Sequence, residues 1–205
     1  ISENLLKNEK SILWLPLIPI KCSKGTVIIS PFSNIALSSE LDNLFNKLKY
    51  AKNISLAKEY EDKIWKFWLS DGTSENNNIE MMKGVDLMQK GKLDDALKLF
   101  VNLSESDPNW AEPINKIATI RYLQGDLYGS IRDIQLTLEL EPRHFGAIAG
   151  LAQINLALGR YTDALKNLDF AIDIHPYIGI KNLKPIILDL IEKSQIWVIL
   201  LMHQY

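Results

Sequence analysis

The side chains best suited to chemistry in this chain are three histidines and one cysteine. His144 and His175 each lie at a turn marked by proline, whereas Cys22 and His203 lie near opposite ends of the sequence. A zinc site needs His or Cys ligands at short spacings, and a nucleophilic cysteine needs a histidine partner. The sequence shows neither arrangement. We therefore expect turn histidines, no metal, no other cofactor and no catalytic residue.

Acidic residues and glycines follow the needs of helices rather than those of an active site. Asp94, Asp95 and Asp126 come shortly after glycines. They lie at the expected starts of helices, where negative charge interacts favourably with the helix dipole. No glycine-rich phosphate loop occurs, because the glycines mark turns instead. These features predict a protein that is not an enzyme.

Length, composition and charge exclude several further classes. The chain has 205 residues, 47% hydrophobic and 23% charged, which is typical of a folded domain rather than a disordered chain. Its net charge of -2 provides no overall basic field for nucleic acid. The single cysteine excludes an internal disulfide, and no apolar run reaches about 18 residues. We therefore expect no nucleic-acid partner and no stable transmembrane insertion.

A period of 34 residues organises the middle of the chain. Glycines, prolines and small residues all keep this step, at Gly91, Gly125 and Gly159, at Pro108, Pro142 and Pro176, and at Ala96, Ser130 and Ala164. Each unit is predicted to form two helices, because glycine ends the first and proline cannot continue the second. Small side chains allow the paired helices to approach closely. The period predicts an all-α repeat architecture.

The pattern resembles the tetratricopeptide repeat (TPR). Numbered from Asn77, Ala111 and Phe145, each unit has small residues at its eighth and twentieth positions, a large apolar residue at the twenty-fourth and proline at the thirty-second. The aromatic residue usual at position four is absent. The resemblance implies a right-handed α-solenoid of three TPR helix pairs over residues 77–110, 111–144 and 145–178. Trp110-Ala111-Glu112 and the segment 141–145 further resemble uncharacterised small alphaproteobacterial TPR proteins.

The segments on either side of the repeats are predicted to be caps. Residues 39–76 are expected to form a helical hairpin and linker, with Ser39 as N-cap and the hairpin packed on the first unit. Residues 179–205 are predicted to form a C-terminal capping helix with an apolar tail. Within that tail, Ile196–Met202 is a candidate patch for weak self-association. The alternative is a tail that folds back.

Residues 1–38 allow two interpretations. Lys21 and Lys24 precede a mildly apolar stretch that ends in Ala36-Leu37-Ser38, an order similar to that of a secretory signal. The protein would then be exported or periplasmic. If the segment is instead a disordered arm, the protein would be cytoplasmic.

The resemblance implies a non-catalytic scaffold or adaptor that binds a partner peptide or helix in a concave groove lined by first helices. The implied groove residues are Met81, Met82, Val85, Met88, Glu112, Asn115, Lys116, Thr119, Tyr122 and Gln153. An alternative is that the methionines pack against the hairpin. An alternative function is an exported or envelope-associated assembly factor. An RNA-binding helical repeat is less favoured, since residues 77–176 carry 10 basic and 14 acidic residues, a net charge of -4.

One TPR subclass is disfavoured directly. Chaperone-binding TPR domains hold a terminal carboxylate with Lys, Arg and Asn side chains from three units. The corresponding positions here are Met81, Val85, Lys116, Gly146 and Gly150. With one cation in the set, the charge-assisted hydrogen bonds of such a clamp are missing. We expect no binding of acidic chaperone tails.

Overall fold

The computed structural model describes the backbone of residues 32–202 and the side chains of residues 40–196. Within that part of the chain the secondary structure is helical, without strands, which confirms the predicted all-α solenoid. The helices are α1 (Phe32–Lys49), α2 (Ile54–Leu69), α3 (Glu75–Gln89), α4 (Leu93–Ser106), α5 (Ala111–Leu123), α6 (Leu127–Leu140), α7 (Phe145–Ala157), α8 (Tyr161–Ile174) and α9 (Lys184–Met202), with a 3₁₀ turn (Gly179–Leu183) before α9.

Three equivalent turns join the two helices of each unit. The turn glycines Gly91, Gly125 and Gly159 have φ angles of 72°, 84° and 72°. This left-handed region favours glycine, because a side chain there would be strained. In each turn the N–H after the glycine donates to a carbonyl near the end of the first helix, as from Lys92 to Leu87 at 2.9 Å. The local sequence therefore defines where each helix pair turns.

The small residues of the repeat have a packing reason that the structure makes explicit. A Cβ on Gly84 would lie 2.6 Å from the ring of Phe100, so only glycine fits between α3 and α4. In the second unit, the buried hydroxyl of Ser130 donates to the carbonyl of Ala118 at 2.8 Å. Close backbone approach thus holds each pair together.

The pairs α3–α4, α5–α6 and α7–α8 stack in chain order through shared apolar clusters. Met81, Phe100, Trp110 and Ile120 form the cluster that joins the first pair to α5. At the other end, Ile187 of α9 is buried with the third pair. Helix α9 therefore covers the apolar side that a terminal repeat would expose.

The N-terminal hairpin differs from its predicted position. Its apolar residues share a cluster with Phe145 and Ile174 of the third unit, while the end of α2 meets the first unit through Leu69 and through the Trp68 carbonyl, which accepts a hydrogen bond from Trp110. The hairpin runs along the turns between units because the aromatic surface that it buries lies there. Helix α1 begins at Phe32, directly after Pro31 in the sequence, so Ser39 lies inside the helix and does not cap it.

Two predicted features fall partly or wholly outside the described residues. The segment predicted to be a signal or an arm lies outside the described residues up to residue 31. The side chains of residues 197–205 in the apolar tail also lie outside them. None of the helices between residues 32 and 202 combines the length and apolar content that crossing a bilayer requires.

Candidate functional site

The first helices α5 and α7 line a concave groove, and α2 lies against one half of it. At the border between the second and third units, Glu112 in the first turn of α5 and His144 at the start of α7 are both fully buried. His144 Nε2 lies 2.8 Å from Glu112 Oε2. The pair therefore joins successive first helices at the base of the groove.

The hydrogen bonds of His144 determine its tautomer. The backbone N–H of Ala147 can only donate, and it points to His144 Nδ1 at 3.1 Å. Nδ1 must therefore be the acceptor, which makes His144 the N-cap of α7. The proton then resides on Nε2, which donates to Glu112. A neutral imidazole satisfies both partners at once.

Three side chains stabilise the negative charge of Glu112: one cation and two hydrogen-bond donors. Lys116 Nζ lies 2.6 Å from Oε1, and Asn115 Nδ2 donates to Oε2 at 3.0 Å. Burial alone would raise the pKa of the Glu112 carboxyl, but the charge of Lys116 and the hydrogen bond from His144 outweigh it and lower the pKa. The carboxylate is thus ionised although it is fully buried, and it neutralises Lys116.

Two tryptophans of α2 cover this buried polar group. The Trp68 ring stacks on the His144 imidazole with centroids 3.9 Å apart and planes within 9°. Trp65 places its ring edge-on to Phe145 at 5.5 Å, and Lys116 Nζ lies 5.0 Å from a Trp65 ring centroid. Such aromatic and cation–π contacts each contribute about 0.5–1.5 kcal/mol beyond burial. These contacts therefore anchor α2 over the buried polar group.

Further along α2, the same helix covers His175. This residue caps the C-terminus of α8, is 2% exposed, and lies 3.5 Å from Glu61 through Nε2. Burial lowers the pKa of His175, which Glu61 partly opposes, while Lys58 and Lys181 add to the lowering. A neutral His175 therefore fits the docked hairpin better than a charged one.

Helix α1 is held to the second and third units by charged contacts at the surface. Arg143 reaches Asp42 at 2.6 Å and lies over the Phe45 ring at 4.2 Å. Lys49 pairs with Asp173 at 2.9 Å. Because both ion pairs are largely exposed, they contribute little energy and mainly set register. The apolar cluster beneath them contributes most of the docking energy.

The half of the groove beyond Trp65 remains open. It contains a cavity of about 300 Å³ between α5 and α7, with α6 behind it. The residues that line it are all uncharged: Asn115, Ala118, Thr119, Tyr122, Leu123, Ser130, Ile134, Gly146, Ala147, Ala149, Gly150, Gln153 and Ile154.

The predicted groove residues divide into three groups. Met81 is fully buried in the first cluster, Val85 and Met88 pack against that cluster, and Met82 is 53% exposed. Met81, Val85 and Met88 therefore belong to the first cluster, which Leu69 at the end of α2 also joins. Of the remaining predicted residues, Glu112 is buried and paired with the partly buried Lys116. Asn115 donates to Glu112 and also lines the cavity, where Thr119, Tyr122 and Gln153 lie.

Sequence reasoning missed the two features that shape this site. The sequence pattern does not distinguish Trp65, and it indicates for His144 only a place at a turn. The signal that was available is the spacing of Trp65 and Trp68, which places both on one side of α2. Among the described residues, no group of three or more side chains is placed to hold a metal ion.

Comparisons with known proteins agree with this fold. No protein-family model matches the sequence. A TPR repeat-containing protein of Rhizobium etli is 28% identical over 153 residues, which span 75% of this chain and 74% of the relative.

Two solved structures show the same architecture. The first TPR domain of Spaghetti (RPAP3), bound to the HSP90 peptide SRMEEVD, is 18% identical with a TM-score of 0.55, over 58% of this chain and 95% of that domain. The Yersinia enterocolitica type III secretion chaperone SycD, in complex with a peptide of the translocator YopD, is 18% identical with a TM-score of 0.52, over 60% of this chain and 95% of SycD.

The repeat and the fold together define a TPR solenoid. The resemblance that the 34-residue period indicates is therefore confirmed. Within that class, the similarity to the Rhizobium protein agrees with the finer resemblance to alphaproteobacterial TPR proteins.

Proposed function

We propose that this protein is a non-catalytic interaction module that binds a segment of a partner protein in the open half of its concave groove. The observation that carries the proposal is the uncharged cavity between α5 and α7, which lies directly beside the docked hairpin. A site of this size fits a few side chains of a peptide rather than a whole domain.

The lining indicates what kind of segment would bind. The amide and hydroxyl groups of Asn115, Thr119 and Gln153 can pair with the backbone of a bound segment, while Ile154 and Leu123 offer apolar contact. Lys116, which follows the lining residue Asn115 in the chain, is already paired with Glu112. The groove therefore favours a neutral, partly apolar segment over an acidic one.

Two structural neighbours lend support by analogy. RPAP3 is seen with an HSP90 peptide and SycD with a translocator peptide, so the same architecture accommodates peptide partners elsewhere. Fold alone does not transfer a partner, and the chemistry of the lining must define the one bound here.

Site-specific photo-cross-linking in the native cell tests this function. A photoreactive phenylalanine replaces Tyr122 in the groove, and the matched control replaces Tyr128, which is exposed on the second helix α6. We expect a discrete adduct from position 122 that Gln153→Lys abolishes. Adducts of equal yield from both positions, or none from position 122, would contradict a groove-borne function.

A further inference from the structure

We propose that the concave groove is a receptor for an aromatic-bearing helix, that α2 is its resident ligand, and that a partner reaching the covered half displaces the hairpin α1–α2. The proposal deepens the proposed function, because it states how the groove is regulated and which ligand its covered half accepts.

The contacts of α2 are those of a ligand in a binding site. Trp68 stacks on His144 and Trp65 lies against Phe145, so two ring anchors of one helix enter a surface built by other units. At the end of α2, the carbonyl of Trp68 accepts a hydrogen bond from Trp110 Nε1 at 2.6 Å. Helix-in-groove recognition uses anchors spaced in this way on a single face.

The covered and open halves meet at one residue. Gly146 lines the open cavity, and a Cβ built on it would lie 2.6 Å from the Trp65 ring. A segment that extends from the cavity toward Lys116 must therefore occupy the space of Trp65. Hairpin docking and extended binding are mutually exclusive on steric grounds.

The connection between hairpin and repeats keeps the hairpin close to the groove. Helix α2 ends at Leu69 and α3 begins at Glu75, and the short segment between them is held to the first unit by hydrogen bonds from the Gly72 and Thr73 N–H groups. A ligand tethered by so short a segment has a high effective concentration at its own site. A free competitor must overcome that advantage, so the docked state is the ground state.

Hydrogen exchange on the full chain tests whether the hairpin opens independently. In Gly146→Ala, the new methyl group forces Trp65 to move, whereas in the matched control Gly150→Ala it would lie 3.6 Å from Ile134, an ordinary contact. We expect exchange across residues 41–68 to become about tenfold faster in Gly146→Ala, with α5–α8 unchanged, and no change in the control. Equal rates in both variants, or hairpin and repeats accelerating together, would overturn the proposal.

Binding in trans gives a second readout. The probe is a synthetic peptide of residues 40–69, and the receptor is the full chain carrying Trp65→Ala and Trp68→Ala. We expect the peptide to bind this receptor at least about tenfold more tightly than the wild-type chain, whose own hairpin competes. A peptide carrying the same two alanines is the control and should not bind.

The possible failures can be told apart. If the double variant keeps its helical content but does not bind the peptide, α2 is an integral part of the fold and the resident-ligand proposal is wrong. If the double variant unfolds, the exchange rates of Gly146→Ala decide instead. Neither experiment depends on the photo-cross-link at position 122, so loss of that adduct contradicts the proposed function and leaves the resident-ligand proposal standing.

Discussion

His144 donates from Nε2 to Oε2 of Glu112 at 2.8 Å, and this one hydrogen bond joins the first turns of two successive repeat units. The same imidazole caps α7 through Nδ1 and stacks against the ring of Trp68. A single side chain therefore connects repeat stacking, helix capping and hairpin docking. Several tests of the structure can be built around this residue and its surroundings.

Replacement of the buried carboxylate tests the charge balance of the site. Glu112→Gln should lower the free energy of unfolding by about 3 kcal/mol, because it leaves the partly buried Lys116 without its counter-ion. Chemical denaturation measures the change, with Glu139→Gln on the exposed side of α6 as control. Equal stability of the two variants would show that the ion pair contributes nothing.

The buried His175 predicts a loss of stability on acidification. Burial holds the pKa of His175 below its ordinary value near 6.5, so the unfolded chain binds a proton more readily. This contribution to stability is fully present above pH 6.5 and is lost as the pH falls through the lower pKa of the folded chain.

The measurement is the free energy of unfolding of the wild type and His175→Gln between about pH 8 and about pH 5. The variant should show a shallower decline, by up to about 1.4 kcal/mol per pH unit. His144 and His203 are present in both proteins, so the comparison isolates His175. Parallel curves would rule out His175 as the source.

An acidic chaperone tail should not bind. The peptide SRMEEVD, which is bound by the first TPR domain of RPAP3, has three acidic side chains, and here Lys116 is already paired with Glu112 and covered by Trp65. Fluorescence anisotropy with labelled peptide should show no saturable binding, with the RPAP3 domain as positive control. Micromolar binding by this chain would refute the charge argument.

Close packing of the third unit can be tested by enlargement. Ala164 is fully buried beside Leu168 and Ile187, so Ala164→Trp should destabilise the chain by about 1–3 kcal/mol through overpacking. The control is Lys166→Trp, because Lys166 is exposed on the same helix. Thermal unfolding should separate the two variants, and an unchanged Tm for Ala164→Trp would mean that the helix pairing is misplaced.

Most of the architecture could be predicted from the sequence because its determinants are local and repeated. A turn glycine such as Gly125, a small residue such as Ala164 and a proline at each unit boundary act on neighbours within one helix pair. Because all three units share one period, a turn or helix assigned wrongly in one unit would have conflicted with the other two. The fold class followed from these residues without knowledge of distant contacts.

The candidate site could be predicted only in part. Thr119, Tyr122 and Gln153 lie in the open half of the groove, because their positions follow from repeat register. The position of Met81 in the core did not follow, since it depends on Phe100 and Trp110 packing against it.

The sequence by itself determined three stacked helix pairs and the residues at their turns, since those depend on interactions over a few helical turns. The tertiary structure alone decided that the hairpin lies along the groove and reaches the third unit. That choice depends on Trp65 and Trp68 finding His144 and Phe145, residues distant in the chain, and on burying a charged cluster beneath them. Contacts of such sequence separation leave no periodic trace, because each occurs once.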